Sequence, residues 1–155
     1  MKAFADHDVS LAMPMIKHFE GLRLEAYLCP SGVPTIGYGH TQGVKIGDTI
    51  NLEEANSLLE NDLKALQKVM SKVVKVQVTQ GEFIALMSFV YNLGIANFRR
   101  SSMLRLLNGG DKKGAAKEFP KWSMANGKVL AGLKKRRVTE ERVFLGAAID
   151  FSKTD

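Results

Sequence analysis

Glu20 closes an apolar run spaced for one face of a helix, and Gly21 behind it opens a stretch without helical period. A glutamate at such a junction is either solvated and inert, as most surface carboxylates are, or shielded by a cleft. In the second case it can keep a proton near neutral pH and act as a general acid. Cys29 is the only cysteine in the chain. As a thiolate it is a base or electrostatic partner, and as a thiol in apolar surroundings it is a small hydrophobe. Thr35, after Pro34, lies in a short β-prone segment whose plain role is strand formation. Glu25 and Asp48 are the other acids here, and both read as surface groups. Tyr38, between Gly37 and Gly39, offers an aromatic face that could position a ring, with turn geometry as the simpler account of the glycines. His40 lacks a cysteine or histidine partner at ligand spacing, so no metal site is expected. The chain also lacks a phosphate-cradling glycine loop and a serine–histidine elbow, and no cofactor is implied.

The elements that must position these residues differ in texture. Val9, Ala12, Met13, Ile16 and Phe19 fall at helical spacing, and Pro14 requires the helix to begin close to it. From 21 to 50 glycines recur, at 32, 37, 39, 43 and 47, with prolines at 30 and 34. Cys29–Gly32 reads as a turn between short strands at Ala26–Leu28 and Val33–Tyr38, and a second pair is expected through Val44–Ile50. Asn51 with Glu54 forms a capping-box pattern. Leu58, Leu59, Leu63, Leu66, Met70 and Val73 then mark one face of a long helix over about 52–74. Thr79 and Glu82 repeat the pattern before a helix (Phe83, Ile84, Leu86, Met87, Phe89, Val90) apolar on nearly all sides, hence a buried centre, with Gly94 as its stop. Further helices are expected at Met103–Leu107, Asp111–Phe119 and Leu133–Ala147, with Phe119 and Trp122 in the core. The fold class is α+β and the 155 residues form one domain. A sheet lobe (about 21–50) joins through the long helix to a larger helical lobe (1–20 plus 75–155), leaving a cleft between them.

Charge narrows the partners without choosing one. The net charge is +6, with Lys134, Lys135, Arg136 and Arg137 in an unbroken run. Such a surface suits nucleic acid, anionic lipid, or the carboxylate-bearing peptides of a bacterial wall. A lone cysteine allows no internal disulfide, which suits synthesis in a reducing cytoplasm. No apolar run near residues 1–20 is long enough for a signal or anchor, so neither self-export nor membrane insertion is expected.

Phe-Glu-Gly-Leu-Arg-Leu-Glu-Ala-Tyr (19–27) and Pro-Thr-Ile-Gly-Tyr-Gly-His-Thr (34–41) resemble the phage-type lysozymes of glycoside hydrolase family 24. The resemblance continues through Leu-Met-Ser-Phe-Val-Tyr-Asn-Leu-Gly (86–94), Phe98 with Ser101 and Ser102, Trp122, and Gly-Leu-Lys-Lys-Arg-Arg-Val-Thr-Glu (132–140). The family pattern of a glutamate, eight residues, an aspartate or cysteine, five residues and a threonine falls on Glu20, Cys29 and Thr35. The resemblance implies a lysozyme-like fold and an endolysin that hydrolyses the β-1,4 bond between N-acetylmuramic acid and N-acetylglucosamine in peptidoglycan. It implies Glu20 as proton donor and Thr35 as a holder of the attacking water. Cys29 replaces the commoner aspartate, which is the main departure. Tyr38, Asn92 and Ser102 are the expected substrate contacts. Arg137, from the set Arg136, Arg137 and Glu140, is the expected support for the acid, against a plain surface ion pair. The resemblance further implies a monomer without cofactor, held in the bacterial cytoplasm until a separate holin opens the membrane. A lytic transglycosylase is the nearest alternative, because a second carboxylate is missing, although Thr35 at the water position argues against it. A non-catalytic wall-binding or nucleic-acid-binding domain would explain the charge, but no nucleic-acid motif supports it, and no nucleic-acid partner is expected.

Overall fold

The computed structural model describes residues 1–125 and 127–151, so the last four residues of the helical lobe expected over 75–155 lie outside the described residues. Phe4–Asp6 and Val9–Leu11 form short 3-10 helices, followed by α1 (Met13–Glu20). Pro14 lies in the first turn of α1, where its missing N–H costs nothing, and Gly21 (φ +73°) ends the helix just past Glu20. Then come β1 (Arg23–Leu28), β2 (Pro34–Gly37) and α2 (Leu52–Ser71). The remaining elements are α3 (Gln80–Leu93), α4 (Ile95–Arg99), α5 (Ser102–Asn108), α6 (Lys112–Ala116), the hairpin β3 (Met124–Ala125) with β4 (Lys128–Val129), and α7 (Ala131–Phe144).

β1 and β2 pair antiparallel with Tyr27 opposite Thr35 and Leu28 opposite Pro34, and the register shifts between Arg23 and Tyr27. The second strand pair expected at 44–50 does not form. That segment instead crosses β1 at a single bridge, Glu25 with Thr49. Two backbone bonds flank it, Ala26 N to Asp48 O at 2.9 Å and Ile50 N to Leu24 O at 2.9 Å. Gly43 and Gly47, both at positive φ, break the extended conformation that a hairpin needs there.

Both capping boxes are complete. Asn51 and Thr79 each accept from the N–H three residues on, while Glu54 and Glu82 return to the cap N–H. Along α2, Ala55, Leu59, Leu63 and Met70 are buried, which makes it amphipathic as its spacing implies. α3 is buried from Glu82 to Val90 apart from the partly buried Ile84, and Gly94 ends it. Its core neighbours include Phe4, Phe98, Phe119 and Phe144, and Phe119 meets Phe89 edge-on at 5.1 Å. Trp122 also packs edge-on against Phe89. The single helix expected over 111–119 is divided into α6 and a 3-10 turn, Phe119–Trp122, that accommodates Pro120.

α7 is the unusual partner. Its sequence is largely charged, yet Arg136, Arg137, Glu140, Val143 and Phe144 are buried against the rest of the protein. The approach to α3 is close: a side-chain carbon on Gly81 would lie 2.5 Å from the Val143 carbonyl oxygen. Gly81 therefore admits the end of α7, and with it a stripe of ionic side chains.

Candidate active site

The end of α1 delivers Glu20 to a cavity of about 500 Å³ lined by His18, Phe19, Asn92, Leu130, Gly132, Leu133, Lys135 and Arg136. The Glu20 side chain is 20% exposed, enough to reach a ligand while most of the carboxyl is shielded. Its two oxygens meet different surroundings. Oε2 accepts from Arg136 Nη1 at 2.7 Å, whereas Oε1 faces Gly39, where an added side-chain carbon would lie only 3.0 Å away. Gly39 has φ +92° and no side chain, so the loop after β2 can come this close to the carboxyl.

Arg136 begins a buried ionic chain. Its Nε donates to Glu140 Oε2 at 3.3 Å, and its Nη2 donates to the Ser88 carbonyl at 3.1 Å. The Ser88 hydroxyl donates to Glu140 Oε2 at 2.6 Å. Arg137 Nη1 donates to Glu140 Oε1, its Nη2 donates to Asn92 Oδ1, and its Nε donates to the Trp122 carbonyl at 2.9 Å. Phe19 and Phe89 lie against the Arg136 and Arg137 guanidiniums, at 5.3 and 4.9 Å. Signs alternate along Glu20, Arg136, Glu140 and Arg137, so the unit is neutral when all four are ionised. That neutrality is what makes the burial tolerable, because an unmatched charge there would be costly. Burial pushes the Glu140 carboxyl upward, opposed by both guanidiniums, and it pushes Arg137 downward, opposed by Glu140.

The sheet contributes a second cluster. Cys29 ends β1 in a turn closed by Gly32 N to Cys29 O at 2.8 Å and Cys29 N to Val33 O at 3.0 Å. Its sulfur lies 3.0 Å from Ser31 Oγ. The Ser31 hydroxyl is the main reason the thiol is lowered to about 7, aided by the backbone N–H groups of Val33 and Ser31. Thr35, on β2, is buried and donates to the Val33 carbonyl at 2.9 Å. That bond commits its proton and leaves its lone pairs to accept.

The structure brings Cys29 and Thr35 together and places Glu20 with Asn92 on one cavity. It corrects the support role: the guanidinium on Glu20 belongs to Arg136, not Arg137. A helix advances by about 100° per residue, so adjacent arginines point apart, Arg136 toward α1 and Arg137 toward Asn92 and Trp122. Nor is the set a surface ion pair, since Glu140 is fully buried. Tyr38 is buried with the core rather than offered as an open platform, its carbonyl accepting from Tyr91 Oη at 2.6 Å. Ser102 is exposed in the first turn of α5 and does not line the Glu20 cavity, while Ser101 beside it caps that helix. Glu25 and Asp48 are exposed. His40 Nδ1 pairs with Asp62 Oδ2 at 2.7 Å. Among the described residues no group of three or more His, Cys, Asp or Glu could hold a metal, and no helix is long and apolar enough to cross a membrane. Ser88, Tyr91 and Asp62 were not singled out by sequence. A serine in an otherwise apolar helix was the one available signal for Ser88.

The model of the phage lysozyme family matches residues 17–140, a span that contains both clusters and all of the ionic chain. An endolysin of Acyrthosiphon pisum secondary endosymbiont phage 1 is 43% identical over 91% of this chain and 99% of its own. A SAR-endolysin of bacteriophage PS119 is 40% identical over 81% of this chain and 76% of its own. The muramidase domain of SpmX from Asticaccaulis excentricus superimposes with a TM-score of 0.84 at 37% identity, covering 91% of this chain and 99% of that one. The chain belongs to the phage lysozyme family. Its α+β fold is lysozyme-like, and it is a glycosidase of the lysozyme class.

Proposed function

We propose that the chain is an endolysin-type muramidase acting on bacterial peptidoglycan, with Glu20 as its acid and Cys29 and Thr35 as holders of water. The bond cut is the β-1,4 link from N-acetylmuramic acid to N-acetylglucosamine. The observation that carries this reading is the Glu20 carboxyl, mostly shielded at a cavity and anchored on one oxygen by Arg136 at 2.7 Å. With Oε2 committed to a guanidinium that only donates, Oε1 is the oxygen that carries a proton to the leaving glycosidic oxygen. A water opposite needs acceptors for its hydrogens. Thr35 Oγ1 offers lone pairs, and the Cys29 sulfur offers a thiolate stabilised by Ser31. As the glycosidic C–O bond breaks and its oxygen takes the Glu20 proton, the water adds to the oxocarbenium-like centre and gives up a proton to the Cys29 thiolate, which completes hydrolysis. Asn92, its Oδ1 held by Arg137, has its amide N–H groups available for saccharide oxygens.

Mass spectrometry of fragments released from purified peptidoglycan tests the reading. Ordinary reducing ends are expected. Fragments lighter by one water throughout would replace hydrolysis with transglycosylation. We also propose that the protein is a monomer held in the bacterial cytoplasm and reaches the wall through a holin. Expression in a bacterial host should then cause lysis only with a co-expressed holin, and lysis without one would remove that step.

A further inference from the structure

The hydroxyl of Tyr91 neither donates the proton nor holds water in this chemistry, yet it lies partly buried where α3 meets the loop that faces Glu20. It donates to the Tyr38 carbonyl at 2.6 Å. Burial pushes this hydroxyl up, reinforced by the nearby Glu20 carboxylate, so it stays a donor across the working pH range. The loop it grips is fixed on its other flank as well. Ile36 and His40 exchange backbone bonds of 2.9 Å, and the His40 ring is tied to Asp62 of α2. Between these anchors lies Gly39, whose absent side-chain carbon would fall 3.0 Å from Glu20 Oε1 and 3.3 Å from Tyr91 Oη. The acid's proton-bearing oxygen, the Gly39 backbone and the tyrosine hydroxyl thus converge on one point.

We propose that Tyr91 is a positioning residue for Glu20, acting through the Tyr38–Gly39 backbone. Arg136 holds Oε2 from the helical side. The Tyr91 hydroxyl sets how closely Gly39 approaches Oε1, and so fixes the rotation of the carboxyl about its anchored oxygen. Proton delivery depends steeply on that rotation, since misplacements of an ångström are costly in rate. Ground-state binding of the glycan does not depend on it. The inference rests on Glu20 being the acid.

The test is steady-state release of reducing ends from soluble glycan strands, with thermal unfolding alongside. Tyr91→Phe removes the oxygen and keeps the ring. It should lower kcat about tenfold, the scale of one lost hydrogen bond realised in the transition state, with KM within about twofold and the fold intact. Gly39→Ala places a carbon 3.0 Å from Oε1 and should also lower kcat at unchanged KM. Because both changes act on one atom, the double variant should lose less than the product of the two single losses. A Tyr91→Phe enzyme with normal kcat, a loss confined to KM, or losses that multiply would each overturn the proposal. If Tyr91→Phe does not fold, the Gly39→Ala arm decides, and normal kcat there overturns it equally. Glu20→Gln in the same assay keeps the two readings apart. Activity surviving in that variant would remove Glu20 as the acid, whatever Tyr91→Phe shows.

Discussion

Glu20 and Cys29, the proposed acid and a proposed holder of water, lie in contrasting settings. Glu20 ends a chain of alternating charges whose inner members, Arg136, Arg137 and Glu140, are 4%, 1% and 0% exposed. Each is bonded to the next, and Ser88, Asn92 and the Trp122 carbonyl take up further donors and acceptors. Cys29 is partly exposed on a turn of the sheet, with a neighbouring serine hydroxyl as its side-chain partner. The helical side is therefore over-determined: no member can change without stranding a buried charge. The sheet side is lightly held and close to solvent, where a thiolate and a carboxylate are both tolerable. On the proposed reading either a thiolate or a carboxylate serves at position 29, while no such freedom exists around Glu20.

Substitutions on the two sides should separate accordingly. Glu20→Gln keeps the size and the contact with Arg136 but removes the proton donor. We expect wall lysis to fall at least about a thousandfold, since loss of an essential acid removes proton transfer and positioning together, with the fold intact and the thermal midpoint lowered by the unmatched Arg136 charge. Substantial turbidity clearing by the folded variant would end the assignment. Glu140→Gln touches no substrate, yet it leaves Arg136 and Arg137 facing each other in a buried site. Denaturant unfolding should show a loss of about 3–5 kcal/mol, the range for breaking a buried ionic pair. A change under about 0.5 kcal/mol, the ordinary surface value, would mean the network is not a stabilising unit.

On the sheet side the order of effects reverses. Cys29→Ala should lose about tenfold or more in activity, as for a removed general base or electrostatic partner, with little change in unfolding. Cys29→Asp should keep much of the activity, because the site already favours an anion. Alkylation by iodoacetamide should inactivate the enzyme, and bound oligosaccharide should slow the inactivation. A fully active Cys29→Ala protein paired with an unstable Cys29→Asp would make Cys29 a packing residue and leave Glu20 with Thr35.

The contrast also explains what could be read from the sequence. Capping boxes, the apolar face of α2 and the all-round apolarity of α3 are local patterns, and each element formed as they imply. Glu20, Cys29 and Thr35 stand out by resemblance to a family pattern that falls within one continuous segment. The identity of the arginine on Glu20 was not legible, because it depends on the rotation of α7 about its axis over 116 residues of separation. The charged composition of α7 suggested exposure, whereas the structure pairs its charges internally and buries them. The strand pair at 44–50 failed for a local reason, the two positive-φ glycines. Tyr91 was hidden for the opposite cause. In an apolar helix a tyrosine reads as core, and only the position of Gly39 shows where its hydroxyl is spent.

The smallest effect concerns Ser31, and it asks whether the sheet side is tuned by one hydroxyl as the geometry implies. The Cys29 thiol is lowered to about 7, chiefly by the Ser31 hydroxyl, with the Val33 N–H next. A hydroxyl 3.0 Å from sulfur stabilises the thiolate by donating to it, and it has much less to offer the protonated thiol. In the native protein the alkylation rate should therefore rise with pH through a midpoint near 7. Ser31→Ala removes the largest cause and keeps the turn, so the midpoint should move upward toward the ordinary thiol range. At pH 7 less of the variant than of the native protein is thiolate, so alkylation should slow at that pH and recover at higher pH. Lysis should follow the same shift if the thiolate holds the attacking water. The group faces solvent, so the effect is read in reactivity, and unfolding should be nearly unchanged. An unmoved midpoint would transfer the tuning to the backbone N–H groups. An alkylation shift without one in lysis would leave a reactive cysteine that takes no part in the water step.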